Sequence, residues 1–258
     1  MRYQTKTIGP VRNTGRSMAG PLGGHKRKEY EMNPLLRDVA KNMTDLGLGA
    51  LTHALRLSLY ATPENPSWAD LSVLNAAHAA EILIKARLAA EHPLLIFTQI
   101  PKSTQVGGTL LDFEDLFARG QTIDFQDLPE RLWAATGIRL PCVEIFSNFG
   151  RLRNAIQHFA PPTDQSSTRT LEFIFRVLDP FIFQTWGLYA IDFNEECGDH
   201  YEHIFDSLVS GNIRPLISPT AAKVWLQLGY HPGDKAPAGY AAWYQKALAE
   251  AVTRDNQS

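Results

Sequence analysis

The stretch WADLSVLNAAHAAEILIKARLAAE, residues 68–91, carries the strongest helical pattern of the chain. Leu71, Leu74, Ala77, Leu83 and Ile84 recur at helical spacing, so one apolar stripe is available for burial. Ala76, Ala77, Ala79 and Ala80 have little bulk, which allows a neighbouring helix to approach closely. Pro93 ends the run, because a proline ring removes a backbone donor and crowds the preceding turn.

The reading extends outward from this helix. On its N-terminal side, the pattern predicts one helix from about Pro34 to Leu46 and another from about Leu51 to Tyr60, before the breaker loop TPENPSW. On its C-terminal side, residues 98–140 form an irregular insertion, with a short helix at Asp112 to Arg119 and an extended piece at 122–125. A major helix starts near Pro141, a residue favoured in first turns, and Pro161-Pro162 stop it soon after Phe159. Further helices are predicted at Thr170 to Ala190, kinked at Pro180, and at Asp199 to Val209. After Gly211 a C-terminal extension begins: one helix capped by Ser218 and closed at Gly229, then a last one from Tyr240 to Val252. Strand signals are few and no fixed-period repeat is present, so the fold class is all-α: a helical bundle over residues 32–210 with a helical extension over 211–258.

Composition supports a globular core, with 44% hydrophobic and 20% charged residues in a chain of 258. The formal net charge of −2 hides an asymmetry: residues 1–30 carry seven Lys/Arg and one Glu, a balance of +6, so the remainder is −8. Residues 1–31 lack hydrophobic periodicity and are expected to be a disordered basic tail. Any nucleic-acid contact by the acidic folded part requires a local basic patch. Two cysteines, Cys142 and Cys197, make no disulfide framework. The apolar segment 173–191 is interrupted by Arg176, Asp179 and Pro180, too soon to span a bilayer. A soluble, cytoplasmic protein without membrane contact is expected.

The chemistry concentrates in PCVEIFSNFGRLRNAIQHFAPP, residues 141–162. Arg153 and His158 form R-x4-H, and Asn154 shares a helical face with His158 at i, i+4. Arg153 sits about 140° around the helix from His158, within the swing of a long side chain. Arg151, seven residues before His158, lies nearly on its stripe and is a second phosphate ligand in waiting. Unpaired carbonyls at a helix end favour an imidazolium and a neighbouring guanidinium opposes it, which suits a proton-transfer residue. A guanidinium fork fits two phosphate oxygens. Together these groups match RNA cleavage without metal, in which the substrate's own 2′-hydroxyl attacks the adjacent phosphorus. DNA lacks that hydroxyl. One histidine per chain is sparse for a base and an acid, and a symmetric dimer supplies two. The bare pattern is unspecific, since Arg87 and His92 also match it.

LRNAIQHF resembles the signature of the HEPN superfamily, R-x4–6-H with Asn, Asp or His often following the arginine. Residues 75–97, NAAHAAEILIKARLAAEHPLLIF, resemble that family's earlier long helix. The likeness covers roughly residues 34–190 and is strong only in these two segments. It implies a HEPN-like helical bundle, homodimerisation, and often metal-independent endoribonuclease activity in prokaryotic defence or toxin–antitoxin systems, where an antitoxin or regulatory protein is a partner. Arg153, Asn154 and His158 fall on the hallmark positions. Some toxin members carry a tyrosine two residues after the histidine, modified by a partner nucleotidyltransferase; Ala160 stands there in this chain, so that mode of control is not implied. Some members are not nucleases, which leaves a non-catalytic adaptor that binds a nucleotide or a protein as the alternative. A purely structural role, with Arg153 in a buried ion pair, is a third.

Asn75, His78, Glu81 and Lys85 form a polar stripe on the long helix. One reading is a solvated face with a Glu81–Lys85 pair. The other lines the cleft opposite His158, with Glu81 holding the arginine and Lys85 or His78 touching RNA. Cys197, His200 and His203 have zinc-ligand chemistry but no common spacing, and a surface helix is the preferred reading, with no metal or cofactor expected. Trp186, Tyr189, Trp225, Tyr230, Trp243 and Tyr244 are read as core or interface residues rather than base-stacking platforms.

Overall fold

The computed structural model describes residues 36–107, 111–159, 165–193, 200–234 and 236–255. The basic tail, Ala160 to Pro162 and Cys197 lie outside the described residues.

The chain is all-α. Helix α2 (Ser67–Glu91) is its centre and packs against α1 (Val39–Leu59), α4 (Leu128–Thr136), α5 (Val143–Phe159) and α6 (Ser166–Phe173). A helix surrounded in this way needs small apolar residues on several faces. Ala76, Ala77, Ala79 and Ala80 are buried, with Leu83, Ile84 and Leu88 filling the space between helices.

Helix α1 corrects an expectation. The break between Leu46 and Leu51 does not exist, and α1 is continuous over 21 residues. Gly47 faces α2 so closely that a Cβ there would lie 2.7 Å from Leu83 Cγ. The glycine serves contact between helices, not a turn.

The stretch 98–140 is more ordered than expected. Strands β1 (Phe97–Gln99) and β2 (Gln121–Thr122) pair antiparallel, with α3 (Phe113–Arg119) between them. The side chain of Asp112 accepts from the Asp115 N–H at 2.8 Å and caps α3. Helix α4 was not expected, yet Leu128 and Leu132 belong to the core. It carries the start and stop signals of a helix: Pro129 in the first turn and Gly137 just past the end at φ +75°.

Helix α5 begins at Val143, two residues later than Pro141. Its buried residues are Phe146, Phe149, Gly150 and Ile156. Phe146 stacks on Phe125 at 4.2 Å and Phe149 on Phe173 at 3.9 Å. A Cβ on Gly150 would strike Phe125 Cδ1 at 2.8 Å, so only glycine allows this crossing.

The expected helix 170–190 is three pieces: α6, a π-helical stretch at Ile174–Leu178, and α7 (Asp179–Trp186). Pro180 lacks an N–H and crowds the carbonyl of the preceding turn, which the wider π turn accommodates without ending the run. Gly187 at φ +70° then closes α7.

The last helices are α8 (His200–Ser210), α9 (Pro219–Gln227) and α10 (Tyr240–Asp255). Ser218 caps α9 as expected, its Oγ accepting from the Ala221 N–H at 3.0 Å. Phe205, Trp225 and Tyr244 form an aromatic cluster with centroids 5.2–5.8 Å apart. Two carboxylates bind this extension to the bundle. Buried Asp179 accepts from the N–H groups of Ala190 at 2.8 Å and Leu216 at 2.7 Å. Asp192 accepts from Ser218 Oγ at 2.6 Å and the Tyr201 hydroxyl at 3.2 Å.

Candidate functional site

Phe146 and Phe149 fix the rotation of α5, and the rotation decides where the motif points. With 146, 149, 150 and 156 turned to the core, Arg151, Asn154 and His158 are exposed and Arg153 is half-buried. Arg153 Nη1 donates to Asn154 Oδ1 at 2.9 Å. Asn154 stands between Arg153 and His158 around the helix, so this bond carries the guanidinium toward the histidine's stripe. His158 occupies the last turn of α5. Its ring meets Phe159 edge-on at 6.4 Å, and it makes no hydrogen bond among the described residues. Phe159 is 82% exposed, an uncovered aromatic beside the motif.

Arg153 makes no ion pair among the described residues. Its positive charge is not cancelled by a carboxylate, which the purely structural reading required. Arg151 donates to Asn148 Oδ1, a neutral partner that holds the guanidinium at the helix surface without neutralising it. Asn148 went unnoticed in the sequence, although its i, i+3 spacing to Arg151 was visible.

The second R-x4-H match is built differently. Arg87 is ion-paired with Glu91 at 2.7 Å, and His92 Nδ1 accepts from the Leu94 N–H at 3.2 Å. Both residues are taken up by local structure: one in a helix-surface pair, the other as a cap.

The polar stripe of α2 holds the expected Glu81–Lys85 pair but not on a solvated face. Lys85 is not solvated: it is 5% exposed. Its Nζ lies 2.6 Å from Glu81 Oε1 and 3.4 Å from Thr122 Oγ1 of β2. Glu81 therefore holds a lysine rather than the motif arginine, and Lys85 is too buried to touch RNA. No described contact joins Glu81, Lys85 or His78 to Arg153, Asn154 or His158 within one chain. His78 is exposed on α2.

The zinc-like cluster falls largely outside the described residues. His203 packs edge-on against Tyr60 at 5.2 Å, and no metal-binding group occurs among the described residues. Trp225 and Tyr244 are buried, as core residues should be.

Between α5 and α6 lies an open cavity of about 370 Å³, lined by Ile145, Asn148, Phe149, Leu152, Arg169 and Glu172, on a face of α5 that Arg153, Asn154 and His158 do not line. No described helix is long and apolar enough to cross a membrane. Fold and site together define an all-α protein with an exposed Arg–Asn–His set at a helix end. Comparison of the chain with protein-family models, with curated proteins and with solved structures gives no match.

Proposed function

We propose that this protein is a HEPN-like, metal-independent endoribonuclease acting through Arg153, Asn154 and His158. The observation that carries the reading is the Arg153–Asn154 hydrogen bond at the exposed end of α5. It turns the guanidinium toward the helical stripe on which His158 lies. In the proposed reaction His158 accepts the proton of the 2′-hydroxyl as that oxygen attacks the adjacent phosphorus. The phosphorus–5′-oxygen bond breaks, leaving a 2′,3′-cyclic phosphate and a 5′-hydroxyl. Arg153 donates two hydrogen bonds to the phosphoryl oxygens as their charge grows. Asn154 orients the guanidinium and has its amide N–H groups left for substrate.

The departing 5′-oxygen needs a proton as well. A second copy of the chain, related by a twofold axis, supplies it from its own His158. Phe159, exposed beside that histidine, suits such a contact. The defence or toxin role, and an antitoxin or regulatory partner, rest on the resemblance of LRNAIQHF and of residues 75–97 alone. The cytoplasmic placement rests on the two cysteines, which make no disulfide framework.

The test is incubation of the purified chain with end-labelled single-stranded RNA in EDTA. Cleavage products ending in a cyclic phosphate are expected from the native chain and not from His158→Ala, with both proteins giving the same helical signal. Undiminished cleavage by His158→Ala excludes the assigned role. RNA binding without products makes the protein a non-catalytic adaptor instead.

A further inference from the structure

The cavity between α5 and α6 has a neighbour on the other side of Glu172. Glu172 also borders a second cavity, of about 420 Å³, lined by Thr168, Arg176, Asn212, Ile213 and Arg214 among others. Both spaces are bordered by Glu172, so together they mark an arginine-lined trough that runs from α5 past this carboxylate to the turn at 211–214. Arg169, Arg176 and Arg214 line it, and Arg151 stands at its α5 edge through Asn148.

The charge of this trough runs against that of the chain around it. Residues 31–258 balance at −8, yet the trough holds three arginines and a single glutamate. The Arg169 side chain has no hydrogen-bond or ion-pair partner among the described residues. Arg214 has none either, and its guanidinium lies over the Trp243 ring at 5.9 Å. Arg176 is paired with Glu172 at 2.6 Å, but both side chains are about half exposed, at 51% and 41%. Such a pair is weak and yields readily to a better anion.

We propose that this trough binds the RNA strand beyond the scissile phosphate, with Arg169, Arg176 and Arg214 each taking a backbone phosphate. The proposal rests on the nuclease reading and gives that site its substrate path. Spacing favours a polymer over a small anion. Arg169 and Arg176 are seven residues apart on nearly continuous helix, so their backbones are separated by roughly 10 Å. Arg169 borders one cavity and Arg176 and Arg214 the other, a spread that suits successive phosphates of a strand. Leu152 on the trough's α5 wall offers apolar surface for a ribose.

The test uses an oligonucleotide of 2′-O-methyl RNA, which cannot be cut by 2′-hydroxyl attack, and fluorescence anisotropy with the full chain. Affinity should fall as salt rises, with a log–log slope of about −2 for three phosphate contacts. Arg169→Glu should weaken binding about tenfold and flatten the slope by about 0.7. Arg214→Gln should weaken it less, and neither change should lower the thermal midpoint. Binding by Arg169→Glu equal to that of the native chain overturns the proposal. So does failure of the native chain to bind the oligonucleotide, or equal binding of an acidic peptide of matched charge. The nuclease reading fails separately: if His158→Ala still cleaves RNA while Arg169→Glu loses affinity, the track stands and the catalytic assignment falls.

Discussion

Arg153 and Asn154 are neighbours in sequence whose side chains bond to each other, with Nη1 of the arginine 2.9 Å from Oδ1 of the asparagine. Adjacent residues on a helix do not ordinarily face one another. The contact forms because the arginine folds sideways around the helix toward the stripe of His158. In the proposed reaction Asn154 acts on the phosphate through Arg153 as well as directly. Arg153→Ala should lower RNA cleavage by about 10²-fold or more, the usual cost of a lost oxyanion donor. Asn154→Ala should cost less, about tenfold, and the double variant should lose less than the product of the two single losses. Single-turnover rates on one RNA check this. Losses that simply multiply would show the two side chains acting independently.

Lys85 and Glu81 lead to a prediction of the opposite kind. Their bond is 2.6 Å, and the lysine side chain is 6% exposed. Removing one partner of a buried pair leaves an uncompensated charge, at a cost of about 3 kcal/mol or more. Lys85→Ala should therefore lower the urea midpoint strongly while leaving RNA affinity per folded molecule unchanged. Lys85→Met together with Glu81→Leu should recover much of the stability, because apolar groups of similar volume suit the site. A fully stable Lys85→Ala that binds RNA poorly would return Lys85 to the substrate-binding set.

Gly47 and Gly49 sit two residues apart in α1 and should respond to alanine with opposite signs. A Cβ at Gly47 would meet Leu83 Cγ at 2.7 Å and Cδ2 at 2.8 Å, in a core where Leu83 is fully buried. Overpacking of that kind costs about 1–3 kcal/mol, more than the roughly 1 kcal/mol that alanine gains in helix propensity. Nothing lies within 4 Å of the same position at Gly49. Gly49→Ala should raise the thermal midpoint and Gly47→Ala lower it, both by circular dichroism. Equal stabilisation by the two would show α1 and α2 farther apart than Gly47 indicates.

These two glycines show where sequence reading stops. Helical class was legible because Leu and Ala recur along α2 at one period, and the position of the motif at a helix end was legible from Pro161-Pro162. The continuity of α1 was not: a glycine that breaks a helix and one that admits another helix look alike until Leu83 is placed against it. Helix α4 was overlooked because its nine residues LPERLWAAT are too short a run for a helical period to stand out, although Pro129 and Gly137 mark both ends. At the site, the local pair Asn154 and His158 could be read from spacing. The trough could not. Arg169 and Arg214 are 45 residues apart, and only the fold brings the α6 wall and the 211–214 turn to one groove.

Asp179 makes the stability of the fold depend on pH. It is fully buried, and burial pushes its carboxyl from 3.8 up to about 7, against the pull of the Ala190 and Leu216 N–H groups. Asp192, whose charge also raises Asp179, is itself shifted upward, chiefly by burial. With the folded value above the unfolded one, the native state holds the proton more tightly between about pH 4 and pH 7. The stabilisation from the protonated form is complete below pH 4 and is lost as pH rises through 7. Urea denaturation at successive pH values should therefore show a stability component that declines across this window. Asp179→Asn keeps one acceptor for an N–H and cannot titrate, so its stability should lose that decline, while the variant remains less stable at pH 4 because the second N–H goes unpaired. An identical pH profile in the native chain and Asp179→Asn would mean that the carboxyl ionises in the native state as readily as in the unfolded chain. The two backbone donors would then outweigh desolvation at this position.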